Sequence, residues 1–141
     1  MSCRDVMKGD VRFGTAQTTV AQAAALMRDE QIGFLPICDE GRNVIGILTD
    51  RDIAVRVVAE GHSANEPVER FMSPAVVACR SDEELSVAQD LMGEMQLSRI
   101  VCVGEDGQLE GVISLSDIAQ LGDSVDAAAT LRSVTVREAR T

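Results

Sequence analysis

Gly46-Ile47-Leu48-Thr49-Asp50-Arg51-Asp52-Ile53-Ala54 returns as Gly111-Val112-Ile113-Ser114-Leu115-Ser116-Asp117-Ile118-Ala119, at an offset of 65 residues from Gly46 to Gly111. The same offset carries Met7 onto Met72, Val11 onto Val76, Leu26-Met27 onto Leu91-Met92 and Gln31 onto Gln96, with no gap. An internal repeat decides the architecture, because each copy is one supersecondary unit that needs its neighbour to bury a core. Any site built on one copy is expected to have a counterpart on the other.

The rest of the chain fits two such copies. Its 141 residues suit one compact domain or two small halves, and a lone half of about 60 residues buries too little surface to be comfortable alone. Repeat 1 is assigned to residues 1–62, repeat 2 to 63–123, and 124–141 to a C-terminal tail, Ala-rich then charged and partly helical. With three Phe and no Trp or Tyr, the core must come from Val, Ile, Leu, Met and Ala. The formal charge of −10 argues against a nucleic-acid surface, which needs a basic field, and against anionic membranes. A small anion at a local basic spot stays possible. No signal-like apolar run and no stretch of about 20 apolar residues is present. Cys3, Cys38, Cys79 and Cys102 show no CxxC pairing, and His62 is the single histidine, so no metal site is expected. Cys38 and Cys102 lie in apolar runs and read as buried thiols, consistent with a reduced, cytoplasmic protein.

Periodicity gives each half the same order. An extended segment, Val6–Phe13, leads to a helix at Val20–Glu30 with N-cap oxygens from Thr18 and Thr19. Strands follow at Leu35–Cys38 and Val44–Leu48, around the polar turn Asp39–Asn43. Thr49 and Asp50 cap a second helix, Arg51–Glu60, which stops at Gly61. After a linker, His62–Pro67, Asp82 is expected to cap a helix reaching Met95, with Glu83 and Glu84 in its first turn. Strands at Ile100–Val103 and Gly111–Ser114 and a helix at Asp117–Leu121, ending at Gly122, complete the second half.

Over residues 4–122 this order resembles the cystathionine-β-synthase (CBS) domain, in particular stand-alone bacterial tandem pairs. Its marker is a glycine–hydrophobic–hydrophobic–Ser/Thr–x–x–Asp string, here Gly46…Thr49…Asp52 and Gly111…Ser114…Asp117. The second string also resembles a nucleotide-contacting segment of the γ subunit of AMP-activated protein kinase. The resemblance implies an α/β (α+β) fold of two βαββα repeats packed with pseudo-two-fold symmetry, and a homodimer.

The string has a chemical reading of its own. A strand runs into a helix whose first N–H groups can hold a phosphate. Thr49, Ser114 and Ser116 offer hydroxyls. Asp52 and Asp117 could accept the vicinal hydroxyls of a ribose. The plainer reading is that these residues are helix caps and first-turn acids. The resemblance further implies that Ile32, Gly33 and Phe34, and Leu97, Ser98 and Arg99, pass beside adenine and phosphate. Arg99 then reaches phosphate or forms a rim ion pair. Phe34 cannot bind phosphate, so Arg51 has to compensate and the two sites should differ. In the family the opening segment of each repeat crosses to the other site. Met7 to Val11 would border Asp117, and Met72 to Val76 would border Asp52. Lys8 is an extra cation there or simply solvated.

No catalytic constellation can be assembled around His62, and neither HExxH nor GxxxxGK[ST] is present. The expectation is a non-enzymatic regulatory module without a catalytic cofactor. It senses AMP, ADP, ATP or a related adenosyl ligand, with NAD and S-adenosylmethionine as further candidates, and acts on a separate effector protein. The alternative is a ligand-free dimerisation module working through protein contacts.

Overall fold

The computed structural model describes residues 1–121 and 124–139. The chain forms two compact units, one of Arg12–Val76 and one combining Met1–Val11 with the residues from Val77 onward. It opens with a one-turn helix α1 (Cys3–Val6), which belongs to the second of these units. Val6 is therefore helical rather than extended, because Ser2 and Asp5 close a capping box around this turn.

The Arg12–Val76 unit holds β1 (Gly14–Thr15), α2 (Val20–Glu30), β2 (Phe34–Cys38) and β3 (Val44–Thr49) in a sheet ordered β1-β2-β3. β1 pairs parallel to β2, and β2 antiparallel to β3. Thr19 caps α2 reciprocally with Gln22, at 2.9 and 3.1 Å, and satisfies two otherwise orphan amides. Gln31, at φ 55°, turns the helix end left-handed, and Ile32 N–H bonds back to the Met27 carbonyl. After β3 comes a single turn α3 (Asp50–Asp52), continuing as a π-helix over Ile53–Val58. The expected α-helix is thus wider than ideal. Ala59 N–H reaches Ala54 O and His62 N–H reaches Val57 O, each at 2.9 Å. The core comprises Val20, Ala23, Met27, Leu35, Ile37, Leu48, Val57, Val68 and Phe71.

The other unit repeats the plan with β4 (Ala78–Arg80), α4 (Leu85–Met95), β5 (Arg99–Val103), β6 (Leu109–Ser114) and α5 (Leu115–Leu121). Its sheet order is β4-β5-β6, again parallel then antiparallel. Gln96, at φ 56°, ends α4 as Gln31 ends α2. The helix begins at Leu85, not beside Asp82, because Glu84 is its N-cap. The Leu85 amide is satisfied by Met1 O at 2.9 Å, and Cys3 N–H bonds Glu83 O at 2.9 Å. The chain terminus does here what a capping side chain does elsewhere. The expected stop at Gly122 lies outside the described residues. A further helix α6 (Ser124–Ala139) follows, and its Val134 joins the core of Cys3, Val6, Cys79, Leu85, Ala88, Met92, Ile100, Cys102, Ile113 and Ile118.

The opening segments are placed by two glycines. Lys8 and Val112 exchange backbone hydrogen bonds at 3.0 and 3.1 Å, and Ser73 and Ile47 do so at 2.8 and 2.9 Å. These bridges lie beside Gly111 and Gly46. A Cβ on Gly111 would stand 2.7 Å from both Lys8 O and Met7 Sδ, whereas one on Gly46 would meet only the flexible side chain of Met72. Gly111→Ala is therefore expected to cost about 1–3 kcal/mol, since backbone must move. Gly46→Ala should cost clearly less. Urea unfolding of both variants checks the order, and equal losses would contradict it.

Candidate functional site

Both repeat strings end a strand and start a helix, and in both the hydroxyl and the carboxylate cap one another. Thr49 N–H donates to Asp52 Oδ2 at 2.9 Å, and Asp52 N–H donates to Thr49 Oγ1 at 3.1 Å. Ser114 N–H donates to Asp117 Oδ2 at 2.9 Å, and Asp117 N–H donates to Ser114 Oγ at 3.1 Å. The capping reading is thus realised at both strings. It leaves chemistry over. Each hydroxyl accepts through its oxygen and keeps its proton to donate. Each carboxylate keeps Oδ1, which faces a cation: Arg56 Nε is 3.8 Å from Asp52 Oδ1, and Lys8 Nζ is 3.7 Å from Asp117 Oδ1. The Asp117 side chain is only 9% exposed and that of Asp52 18%, so these acids sit against protein.

Sheet register brings the other expected residues alongside. Phe34 stands across from Thr49, and Arg99 across from Ser114. Asp50 N–H bonds Gly33 O, and Leu115 N–H bonds Ser98 O, each at 3.0 Å. Ile32 and Leu97 precede these residues at the helix ends already described. Met7 packs on Gly111 and Met72 on Gly46. Val11 falls in the same compact unit as Asp117, and Val76 in the same unit as Asp52. Arg51, Arg99 and Ser116 are exposed.

Three features were not read from the sequence. First, the first-turn amides are largely taken: Asp50, Arg51 and Asp52 N–H bond Gly33 O, Asp50 Oδ1 and Thr49 Oγ1 respectively. An anion at this string has to rely on side chains rather than on the open helix end. Second, Asp50 lies against Gly33, where a Cβ would meet its carboxylate at 2.6 Å. That adds negative charge to the first string, where the second has Leu115. Third, Arg56 also donates to Phe71 O at 3.0 Å, which ties the π-helix to the chain beyond it. Its i, i+4 spacing from Asp52 was the available signal.

A separate cleft of about 590 Å³ opens at the Val103 end of β5, away from Arg99, lined by Arg4, Asp82, Glu105, Asp106 and Glu110 among others. The Ser81 hydroxyl and Arg4 hold the Glu110 carboxyl below its ordinary range. Four carboxylates against one guanidinium repel a phosphate. Among the described residues no group of three or more His, Cys, Asp or Glu side chains is arranged to hold a metal ion, and no helix is long and apolar enough to cross a membrane.

Two three-stranded sheets with duplicated register and duplicated caps define a tandem repeat module of the α+β class. The CBS domain pattern matches residues 3–59 and again 68–123, and the chain belongs to the CBS domain family. It is 34% identical over 118 residues to the CBS domain-containing protein YhcV of Bacillus subtilis, covering 84% of this chain and 83% of that one. It is similar to the crystal structure of Hypoxic Response Protein I with two coordinated zinc ions, at 30% identity and TM-score 0.79, over 86% of this chain and 98% of the other. The CBS domain pair of protein MJ0100, in complex with 5′-methylthioadenosine and S-adenosyl-L-methionine, shares the fold at 23% identity and TM-score 0.76, over 86% and 94% of the two chains.

The caps make a prediction independent of any ligand. Thr49→Ala and Ser114→Ala should each lose about 1 kcal/mol of stability. Thr49→Ser and Ser114→Thr should retain it. Denaturant unfolding decides the matter, and alanine variants as stable as the parent would show that the caps contribute nothing.

Proposed function

We propose that this chain is a non-catalytic regulatory module that binds an adenine nucleotide or related adenosyl ligand. Working as a homodimer in the cytoplasm, it would report that metabolite to a separate effector protein. The carrying observation is that register, caps and opening segment set the same four positions out twice, as Phe34, Thr49, Asp52 and Met72 and as Arg99, Ser114, Asp117 and Met7, with hydroxyl, carboxylate and methionine kept in both. The adenosyl compounds held by the MJ0100 pair, on the same fold, support the ligand class.

In this reading Asp117 Oδ1 and Asp52 Oδ1 accept ribose hydroxyls, displacing the loose contacts of Lys8 and Arg56. The Ser114 and Thr49 hydroxyl protons donate toward phosphate. Ile32, Gly33, Leu97, Ser98, Val11 and Val76 line the base. Arg99 and Ser116 strengthen the Asp117 site for an anion. At the Asp52 site Arg51 works against the Asp50 carboxylate, so that site is the weaker. AMP, ADP and ATP are the first candidates, then NAD and S-adenosylmethionine. The engagement of Asp52 and Asp117 in caps, together with exposed Val55 and Val58 on the π-helix, favours a second reading, a dimerisation module without ligand.

Thermal shift with these compounds separates the two readings. A ligand for the folded state at a hundredfold excess over Kd adds about 2.7 kcal/mol. AMP should bind better than adenosine, and the gap should narrow in Arg99→Ala and at high salt, which screens exposed charge beyond about 10 Å at 0.1 M. By calorimetry, Asp117→Ala should weaken binding roughly tenfold or more, at about 1.5–3 kcal/mol per charged hydrogen bond. Asp52→Ala should matter less. Silence toward every adenosine compound would leave the dimerisation reading standing.

A further inference from the structure

Three of the four cysteines share one dry spot. Cys79 Sγ lies 3.6 Å from Cys3 Sγ and 3.5 Å from Cys102 Sγ, and all three residues are buried. The sulfurs also make weak carbonyl contacts, Cys3 with Glu84 O and Cys79 with Val101 O, each at 3.8 Å, and the Ala88 backbone touches Cys3. Only the tertiary fold collects Cys3, from the chain terminus, with two strand residues 76 and 99 positions away.

We infer that Cys3 and Cys79 form a peroxide-responsive disulfide that staples the opening segment of the chain to β4. Geometry selects this pair over Cys79 with Cys102. The latter two are register partners in neighbouring parallel strands, so neither backbone can move without breaking the ladder. Cys3 stands on the one-turn helix α1, outside the sheet, where a shift breaks no ladder hydrogen bond. A disulfide needs about 2.05 Å between sulfurs, so the pair has to close by about 1.5 Å. The helix is held by hydrogen bonds from Cys3 N–H to Glu83 O and from Arg4 N–H to Ser81 O, and by the exposed Arg4–Glu110 pair at 3.1 Å.

Both thiols are quiescent while the segment is seated. Burial pushes Cys3 up to about 12, and the Cys102 contact with burial pushes Cys79 higher still. Little nucleophilic thiolate exists until α1 lifts. Cys3 thiolate, exposed by that motion, attacks the O–O bond of a hydroperoxide, giving a sulfenic acid and releasing water or an alcohol. While α1 is still lifted and Cys79 uncovered, the Cys79 thiolate attacks the Cys3 sulfur, and the sulfenic oxygen leaves as hydroxide, which takes up a proton to become water. Two thiols give up two electrons and two protons, and the peroxide takes them. The link closes a long loop, which stabilises against unfolding. It also fixes the segment that carries Met7 and Lys8 onto Gly111 and Val112.

The test uses the full chain treated with hydrogen peroxide, then unfolded and blocked with a maleimide for peptide mass mapping. The expected result is a loss of 2 Da, a peptide joining Cys3 to Cys79, and slower hydrogen exchange over residues 1–8. Cys102→Ala should form the same link, and Cys3→Ala should form none. Since mapping of the unmutated chain gives the answer directly, a variant that folds poorly does not confuse it. A link between Cys79 and Cys102 would overturn the assignment. So would four maleimide-reactive thiols after a peroxide exposure that oxidises the unfolded chain.

Discussion

The organisation depends on close backbone approach at Gly111. A strand residue with any side chain at Gly111 would push against the Lys8 carbonyl, and the two-bond bridge to Val112 would open. With it would go the seating of Met1 on the first turn of α4 and of Cys3 in the core, because one short segment makes all three contacts. Glycine's cost in a strand is backbone entropy. Here it is offset by admitting a chain segment that supplies hydrogen bonds, apolar packing and part of the candidate site.

The Ser/Thr–Asp strings carry two demands in one set of atoms. Reciprocal capping uses the hydroxyl oxygen, one carboxylate oxygen and two amides. What remains for a ligand is a hydroxyl proton and the outer carboxylate oxygen, already faced by Lys8 or Arg56. In both pairs the cation is exposed and the separation is long, 3.7 and 3.8 Å, so a partner that hydrogen-bonds the oxygen directly can exchange with it. The cap fixes both side chains before any ligand arrives, which reduces the ordering entropy of binding.

The duplicated scaffold is not a duplicated charge pattern. Asp50 and Phe34 surround Thr49, while Leu115 and Arg99 surround Ser114. Against a formal charge of −10, one guanidinium gained and one carboxylate avoided matter more than they would on a neutral protein. The helices after the two strings also diverge, one widening into π geometry and one staying α.

Much of this was legible in the chain itself. The offset of 65 residues fixed the repeat. Alternation and caps placed β2, β3, β5 and the limits of α2 to within a residue, and β6 to within two, because those signals act within a few positions. The register itself sets Phe34 across from Thr49 and Arg99 across from Ser114. Local signals could not give the start of α4, since its cap comes from Met1. They could not give the closing of the first-turn amides by Asp50 and Gly33, or the π turn over Ile53–Val58. The packing of Val134, and the gathering of Cys3, Cys79 and Cys102, join residues far apart in sequence. Periodicity and capping are local energies, and the sequence alone determines them. Which distant segments fill a given groove is decided by burial and backbone satisfaction summed over the whole fold, and only the tertiary structure shows it.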